Sequence, residues 1–234
     1  MPDRPAILIT GARKGIGRSL VQHYLARDWW VVGCSRRPAE LEAEGYVHHC
    51  TDIRDEMAVR QLLADVRSRF GGLRALINNA GIAAMNHAVL TPVSAVKDVL
   101  ETNVLGTFLL CREAARLLRA TPHARIVNLS SVAVPLRLEG EAVYAASKAA
   151  VEMLTRVLAR ELAPLGITCN TVGPTPVETD LIRGVPPEKI RRLLAAQAIP
   201  RLGQPEDVAH VIDFFLRPGS DFVTGQVVYL GGVS

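Results

Sequence analysis

The feature that most constrains this chain is a period. Five- to seven-residue apolar runs recur at Ala6–Thr10, Trp29–Cys34, Tyr46–Cys50, Leu73–Asn78, Arg125–Leu129, Gly166–Val172 and Gln226–Leu230. Amphipathic stretches of helical length stand between most of them, at Gly15–Ala26, Asp55–Phe70, Pro92–Leu118, Glu141–Ala163 and Pro205–Leu216. Short apolar runs bounded by turns suit strands buried on both faces, and such strands are parallel and need helices over them. The pattern predicts an α/β fold: a doubly wound, parallel, seven-stranded sheet with helices on both faces. No repeat or linker divides residues 1–234, so one domain is expected. The least regular stretch, 173–203, carries Pro174, Pro176, Pro186 and Pro187 around a short helix, and 179–201 reads as a flexible flap over a substrate.

Composition narrows the function. Apolar residues make up 49% and charged residues 21%, and no run reaches the ~18 residues of a membrane span. Met1-Pro2-Asp3-Arg4-Pro5 leads straight into a strand, so a cytoplasmic location is expected. The net charge of +4 is spread along the chain without a basic run, which argues against nucleic acid and for small anionic ligands. Cys34, Cys50, Cys111 and Cys169 are scattered; they read as buried reduced thiols, and no metal site is expected.

Chemistry concentrates in two places. Tyr144 and Lys148 lie four residues apart on a predicted helix, hence on one face. Neither a phenol nor an amine exchanges protons readily at neutral pH, but a cation beside a phenol favours phenolate, and a lowered Tyr144 pKa is expected. The second place follows the first strand, where Thr10–Gly17 reads T-G-A-R-K-G-I-G. Glycines there let backbone approach a pyrophosphate at a helix N-terminus. After the second strand stands Ser35-Arg36-Arg37, with no carboxylate before Glu40. A guanidinium binds a 2′-phosphate that a carboxylate would repel, and Lys14 can reach the same group, so NADP(H) is expected over NAD(H).

Taken together, these residues resemble the single-domain short-chain dehydrogenase/reductases, over nearly the whole chain. The likeness implies a Rossmann-type fold. It implies cofactor contacts from Gly11, Arg13, Lys14, Gly15, Ile16 and Gly17, from Ser35 and Arg36, and from Asp52 and Ile53 at the adenine. Asn78-Asn79-Ala80-Gly81 matches the family's N-N-A-G, with Asn79, Ala80 and Gly81 at the adenosine side. It also implies a catalytic set of Asn103, Ser131, Tyr144 and Lys148. Tyr144 would exchange a proton with a carbonyl or alcohol oxygen that Ser131 also binds. Lys148 would hold the nicotinamide ribose and lower the phenol's pKa, and Asn103 would hold a water leading to solvent. Pro174, Val177 and Thr179 match the nicotinamide clamp, but Thr175 stands where a glycine is usual. A β-branched residue resists positive φ, so a different backbone path is expected there. Tyr229-Leu230-Gly231-Gly232 replaces the common D-G-G.

For the substrate, Ala83, Met85, Val134, Leu136 and Leu138, with His87 and Arg137, suggest an apolar slot for a ketone. Relatives that reduce 3-oxoacyl groups on acyl carrier protein carry arginines where this chain has Pro122 and Leu165, which counts against a carrier partner, although Arg183, Arg191 and Arg192 could serve. Three readings stay open: reduction of a free ketone or its reverse, reduction of a 3-oxoacyl thioester, and a non-catalytic nucleotide sensor. The family is commonly oligomeric, and a homotetramer or dimer packing through Ala114, Ala115, Ala149, Ala150 and Leu154 is expected.

Overall fold

The strands form where the apolar runs predict them: β1 (Ala6–Thr10), β2 (Trp30–Ser35), β3 (Tyr46–Cys50), β4 (Ala75–Asn78), β5 (Ala124–Leu129), β6 (Ile167–Gly173) and β7 (Val227–Tyr229). In this computed structural model, which describes residues 4–178 and 185–233, they make one sheet ordered β3-β2-β1-β4-β5-β6-β7. Every pairing is parallel. All C-terminal ends therefore lie along one edge, and the order reverses between β1 and β4, where sheets of this kind bind ligands.

Helices cover both faces because successive strand residues point to opposite sides. Leu8, Val32, Leu76 and Ile126 pack under α2 (Glu56–Phe70), α4 (Gly106–Leu118) and α6 (Ala142–Leu162), where Leu62, Leu110 and Leu158 join them. Ile7, Ile9, Ile77 and Val127 face the other way, onto Leu20 and Val21 of α1 (Gly15–Leu25) and Ile212 and Phe215 of α8 (Pro205–Leu216). Burying each such side chain contributes about 1.5–3 kcal/mol, so both layers are firmly held. A further helix, α7 (Pro187–Ala195), lies in the flap region, whose residues 179–184 fall outside the described set.

Three expectations change. The long helix expected over Pro92–Leu118 is α3 (Val93–Leu100), a π-helical turn at Glu101–Leu105, and then α4. Within that turn the Asn103 side chain is committed to the Ile82 backbone while its carbonyl accepts from Thr107 Oγ1 at 2.8 Å; such wide turns often mark functional sites. Ala114 and Ala115 are buried within the first core layer and cannot pack on a second copy. Cys50, at the end of β3, is exposed, whereas the other three cysteines are buried.

The glycine turn after β1 is held from β4. Asn79 Nδ2 donates to the Thr10 carbonyl at 2.9 Å, and the Ala80 N–H donates to Thr10 Oγ1 at 2.9 Å. Gly11 has φ +67°, and a methyl at Gly17 would collide with the Gly11 carbonyl and come within 2.6 Å of Asn79 Nδ2. Gly17→Ala should therefore destabilise the fold by about 1–3 kcal/mol, read as a lower urea midpoint at unchanged slope.

Candidate active site

Parallel strands deliver the chemistry to one edge. Ser130 and Ser131 follow β5, Asn79–Gly81 follow β4, and α6 crosses beneath them with Tyr144 and Lys148 on its first two turns. Lys148 is 5% exposed; its Nζ donates to the Leu129 carbonyl at 2.8 Å and lies 5.9 Å from the centre of the Tyr144 ring. Gly81 is a glycine because a methyl there would come within 3.2 Å of Asn103 Oδ1 and 3.3 Å of Lys148 Nζ. Asn103 Nδ2 donates to the Ile82 carbonyl and to Ser147 Oγ, and its Oδ1 accepts from the Ile82 N–H, each at 2.9 Å. Ser147 in turn donates to the Tyr144 carbonyl at 2.7 Å. The four expected catalytic residues are thus brought together, with Ser147 as a link that the sequence reading missed. Its place in Y-A-A-S-K, one turn after Tyr144, was the available signal.

Burial sets the charge states. The Tyr144 phenol is pushed up to about 12, chiefly by desolvation, with the Ser131 hydrogen bond pulling the other way and Glu141 adding to the rise. The Lys148 amine is pushed down to about 8 by burial alone. A lowered phenol was expected from the neighbouring cation; instead both groups are enclosed, and desolvation favours the neutral form of each. Ser131 is the residue that favours phenolate here. Its Oγ also accepts from the Ala133 N–H at 3.1 Å, which orients it.

The nucleotide end is equally specific. Gly11 and Gly15 both take positive φ, and α1 starts with no acidic residue in its first turn. Its leading N–H groups and the basic Arg13 and Lys14 fit a pyrophosphate, whereas α2 is closed by the Asp55 carboxylate, which accepts from Met57 N–H at 2.8 Å. Ile16 packs partly into the core beside them. Ser35 Oγ donates to the Arg37 carbonyl at 2.6 Å. Asp52 carries a surprise: Arg54 grips it through Nε at 3.1 Å and Nη2 at 2.8 Å, then reaches Asp98 at 3.3 Å. Arg54 foremost, with Arg36 also contributing, holds the Asp52 carboxyl below its usual range. Ile53 turns inward against Gly106. Arg54 was missed, though an arginine two residues after an aspartate in a turn is a local cue.

Toward the nicotinamide side, the Pro174 carbonyl accepts from the Val132 N–H at 3.1 Å, and Val177 bridges to Gly203. Thr175 is not among the residues with positive φ, so the backbone keeps an ordinary conformation there. Thr179 and Arg183 lie outside the described residues. Of the expected slot, His87, Val134, Arg137 and Leu138 line a groove of about 430 Å³ with Ala142, Ala145 and Ala149. It opens on the α6 face next to that of Tyr144, so it flanks the reactive hydroxyl and does not contain it. Leu136 packs instead toward Val132, Leu193 and Val233, and Leu138 touches both that cluster and the groove. Pro122 and Leu165 precede β5 and β6 and so lie at the sheet edge opposite Ser131.

Comparison with known proteins agrees with this geometry. A family model described as Enoyl-(Acyl carrier protein) reductase matches residues 11–233. The chain belongs to the short-chain dehydrogenase/reductase family. Members with which it aligns include the 3-oxoacyl-(acyl-carrier-protein) reductase FabG of Vibrio cholerae, 31% identical over 96% of this chain and 95% of that protein. FabG of Staphylococcus aureus is 32% identical, with 96% of both covered. Among solved structures, the ligand-free aldohexose dehydrogenase of Thermoplasma acidophilum matches with a TM-score of 0.90 at 27% identity, over 98% of this chain and 93% of that one. The 3-ketoacyl-(acyl-carrier-protein) reductase of Brucella melitensis complexed with NADH gives 0.88 at 26%, over 97% and 96%. As a short-chain dehydrogenase/reductase, the chain is an oxidoreductase acting between carbonyl and hydroxyl groups. Among the described residues no helix is long and apolar enough to cross a membrane, and no cluster could hold a metal ion.

The buried amine leaves a mark on stability. Between pH 8 and 10.5 the unfolded Lys148 keeps a proton that the folded residue has given up, so stability rises with pH across that window. The span corresponds to about 3 kcal/mol. Tyr144, raised from 10 to about 12, acts oppositely above pH 10. Urea midpoints measured from pH 8 to 10 should climb in the unmodified protein, and Lys148→Met should flatten that climb.

Proposed function

We propose that this protein is an NADPH-dependent reductase that converts a ketone to a secondary alcohol, and the reverse. The observation that carries the reading is the buried Lys148 amine, anchored on the Leu129 carbonyl 5.9 Å from the centre of the Tyr144 ring. The reduced nicotinamide supplies the hydride when bound. Tyr144 gives its proton to the carbonyl oxygen, and the Ser131 hydroxyl donates to the same oxygen, stabilising the charge that develops there. A lysine with its pKa near 8 exchanges protons close to neutrality, so Lys148 can resupply the phenol. Asn103, held against Ile82, keeps the wide turn beside Lys148 through which that proton reaches solvent. Pro174, Val177 and Thr179 hold the carboxamide end.

Cofactor choice rests on Ser35-Arg36-Arg37, where no carboxylate faces the ribose, with Lys14 and Arg13 adding positive charge. Asp52, Ile53, Asn79, Ala80 and Gly81 form the adenosine side. The exposed apolar side chains Val93, Leu100 and Phe108, with Met153 and Val157 on α6, support packing against further copies as a homotetramer.

A second reading is reduction of a 3-oxoacyl thioester, favoured by the several 3-oxoacyl-(acyl-carrier-protein) reductases at about 30% identity. Pro122 and Leu165, at the sheet edge away from Ser131, do not decide between the two readings.

Assays of NADPH oxidation with alkyl and aryl ketones, and with 3-oxoacyl thioesters free and carrier-bound, separate the two. Turnover restricted to thioesters would replace the first reading with the second. Tyr144→Phe should lower the rate by about 10²–10⁴-fold while leaving NADPH affinity within about twofold. Arg36→Asp should move the preference toward NADH; unchanged NADPH affinity would reject Arg36 as a phosphate ligand.

A further inference from the structure

β2 and β3 pair with Val31 beside Tyr46, Gly33 beside His48 and Ser35 beside Cys50, so Gly33, Ser35, Tyr46 and His48 share one sheet face. Three polar side chains and one carbonyl form a chain there. Tyr46 OH is 2.8 Å from His48 Nδ1; His48 Nε2 is 3.0 Å from Ser35 Oγ and 3.1 Å from the Arg37 carbonyl; Ser35 Oγ is 2.6 Å from that same carbonyl. Gly33 leaves the space that Tyr46 OH fills, against Ala12 of the glycine turn.

The proton positions follow from what each group can do. A carbonyl only accepts, so His48 Nε2 must carry a hydrogen, and in the neutral ring Nδ1 then accepts from Tyr46. Burial lowers the His48 pKa against the opposing pull of the Arg37 carbonyl, and His49 and Arg13 nearby add to the fall, which favours the neutral ring. Ser35 has one proton and gives it to the Arg37 carbonyl. A ribose 2′-hydroxyl can donate to Ser35 and needs nothing more. A 2′-phosphate dianion accepts only, so Ser35 must turn its proton outward and release the carbonyl. His48 Nε2–H already lies within reach of both and takes over that carbonyl as Ser35 leaves it.

We infer that His48 is a positioning residue for cofactor choice, holding the Arg37 carbonyl from one side so that the Ser35 hydroxyl is free to donate to the 2′-phosphate of NADP(H). This rests on the reading of Ser35 and Arg36 as the phosphate end. Tyr46 fixes the tautomer that makes the exchange possible, and the sequence signal was period two along β3, with Tyr46 and His48 on the face that ends beside Ser35.

Calorimetric titration with 2′,5′-ADP and with 5′-AMP tests it without turnover. The unmodified protein should bind 2′,5′-ADP more tightly than 5′-AMP. His48→Leu should weaken 2′,5′-ADP about tenfold, the order of one charge-assisted hydrogen bond, and leave 5′-AMP unchanged. His48→Gln, which retains a terminal N–H, should restore most of the loss. If His48→Leu keeps the original ratio of the two affinities, or weakens both ligands equally, the inference is overturned while the phosphate reading stands. If the unmodified protein shows no preference for 2′,5′-ADP, the phosphate reading fails, and the inference with it.

Discussion

The hydrogen bond from Lys148 Nζ to the Leu129 carbonyl is the contact on which the site depends, because it fixes a helix to the end of a strand at the point where chemistry occurs. An ammonium enclosed by protein costs several kcal/mol unless polar atoms meet it, and here few do. The enclosure is built from three directions: Gly81 after β4, Leu129 at the end of β5, and Asn103 from the π turn. Gly81 leaves room beside the same backbone for both Asn103 and the amine, which a methyl would approach to 3.2 and 3.3 Å. The consequence is an amine pushed down to about 8 beside a phenol pushed up to about 12. Their affinities for protons are opposite to those needed for a permanent phenolate–ammonium pair.

The layered fold was legible because it depends on local facts. Ile7, Leu8 and Ile9 need only be apolar and adjacent to serve both faces of a buried strand, and their sequence shows that directly. Tyr144 and Lys148 were legible through their four-residue spacing, and Ser131 through the family resemblance. The pKa direction was not, because desolvation sums over every group packed around the phenol, and no pair of residues encodes it. The π turn was hidden for a similar reason: the amide within it bonds to Ile82, 21 residues away. Ala114 and Ala115 were misplaced because a small apolar residue fits a core or an interface equally well, and only the helix's rotation decides. Arg54 and His48 escaped since an arginine beside an acid and a histidine on a strand are ordinary features until their partners are known.

Near the C-terminus, Thr175 and Gly231 meet at one side chain, Gln197. Thr175 replaces a glycine, and its hydroxyl donates to Gln197 Oε1. Gly231, in the stretch that replaces D-G-G, takes φ +78°, and any side chain there would collide with the Gln197 amide. Gln197 Nε2 reaches the Arg201 carbonyl at 3.3 Å, and the Ile199 N–H donates to the Gly231 carbonyl at 3.1 Å. The Thr175 hydroxyl and the bare Gly231 backbone thus accommodate the same buried amide. Tyr229, two residues earlier, donates to Glu152 Oε1 at 2.7 Å, and Ser130 donates to the same carboxylate oxygen. The end of the chain is therefore tied on one side to the flap and on the other to the residue preceding Ser131. A substitution at Thr175 would leave the buried Gln197 amide short of a donor, and a side chain at Gly231 would meet the same amide.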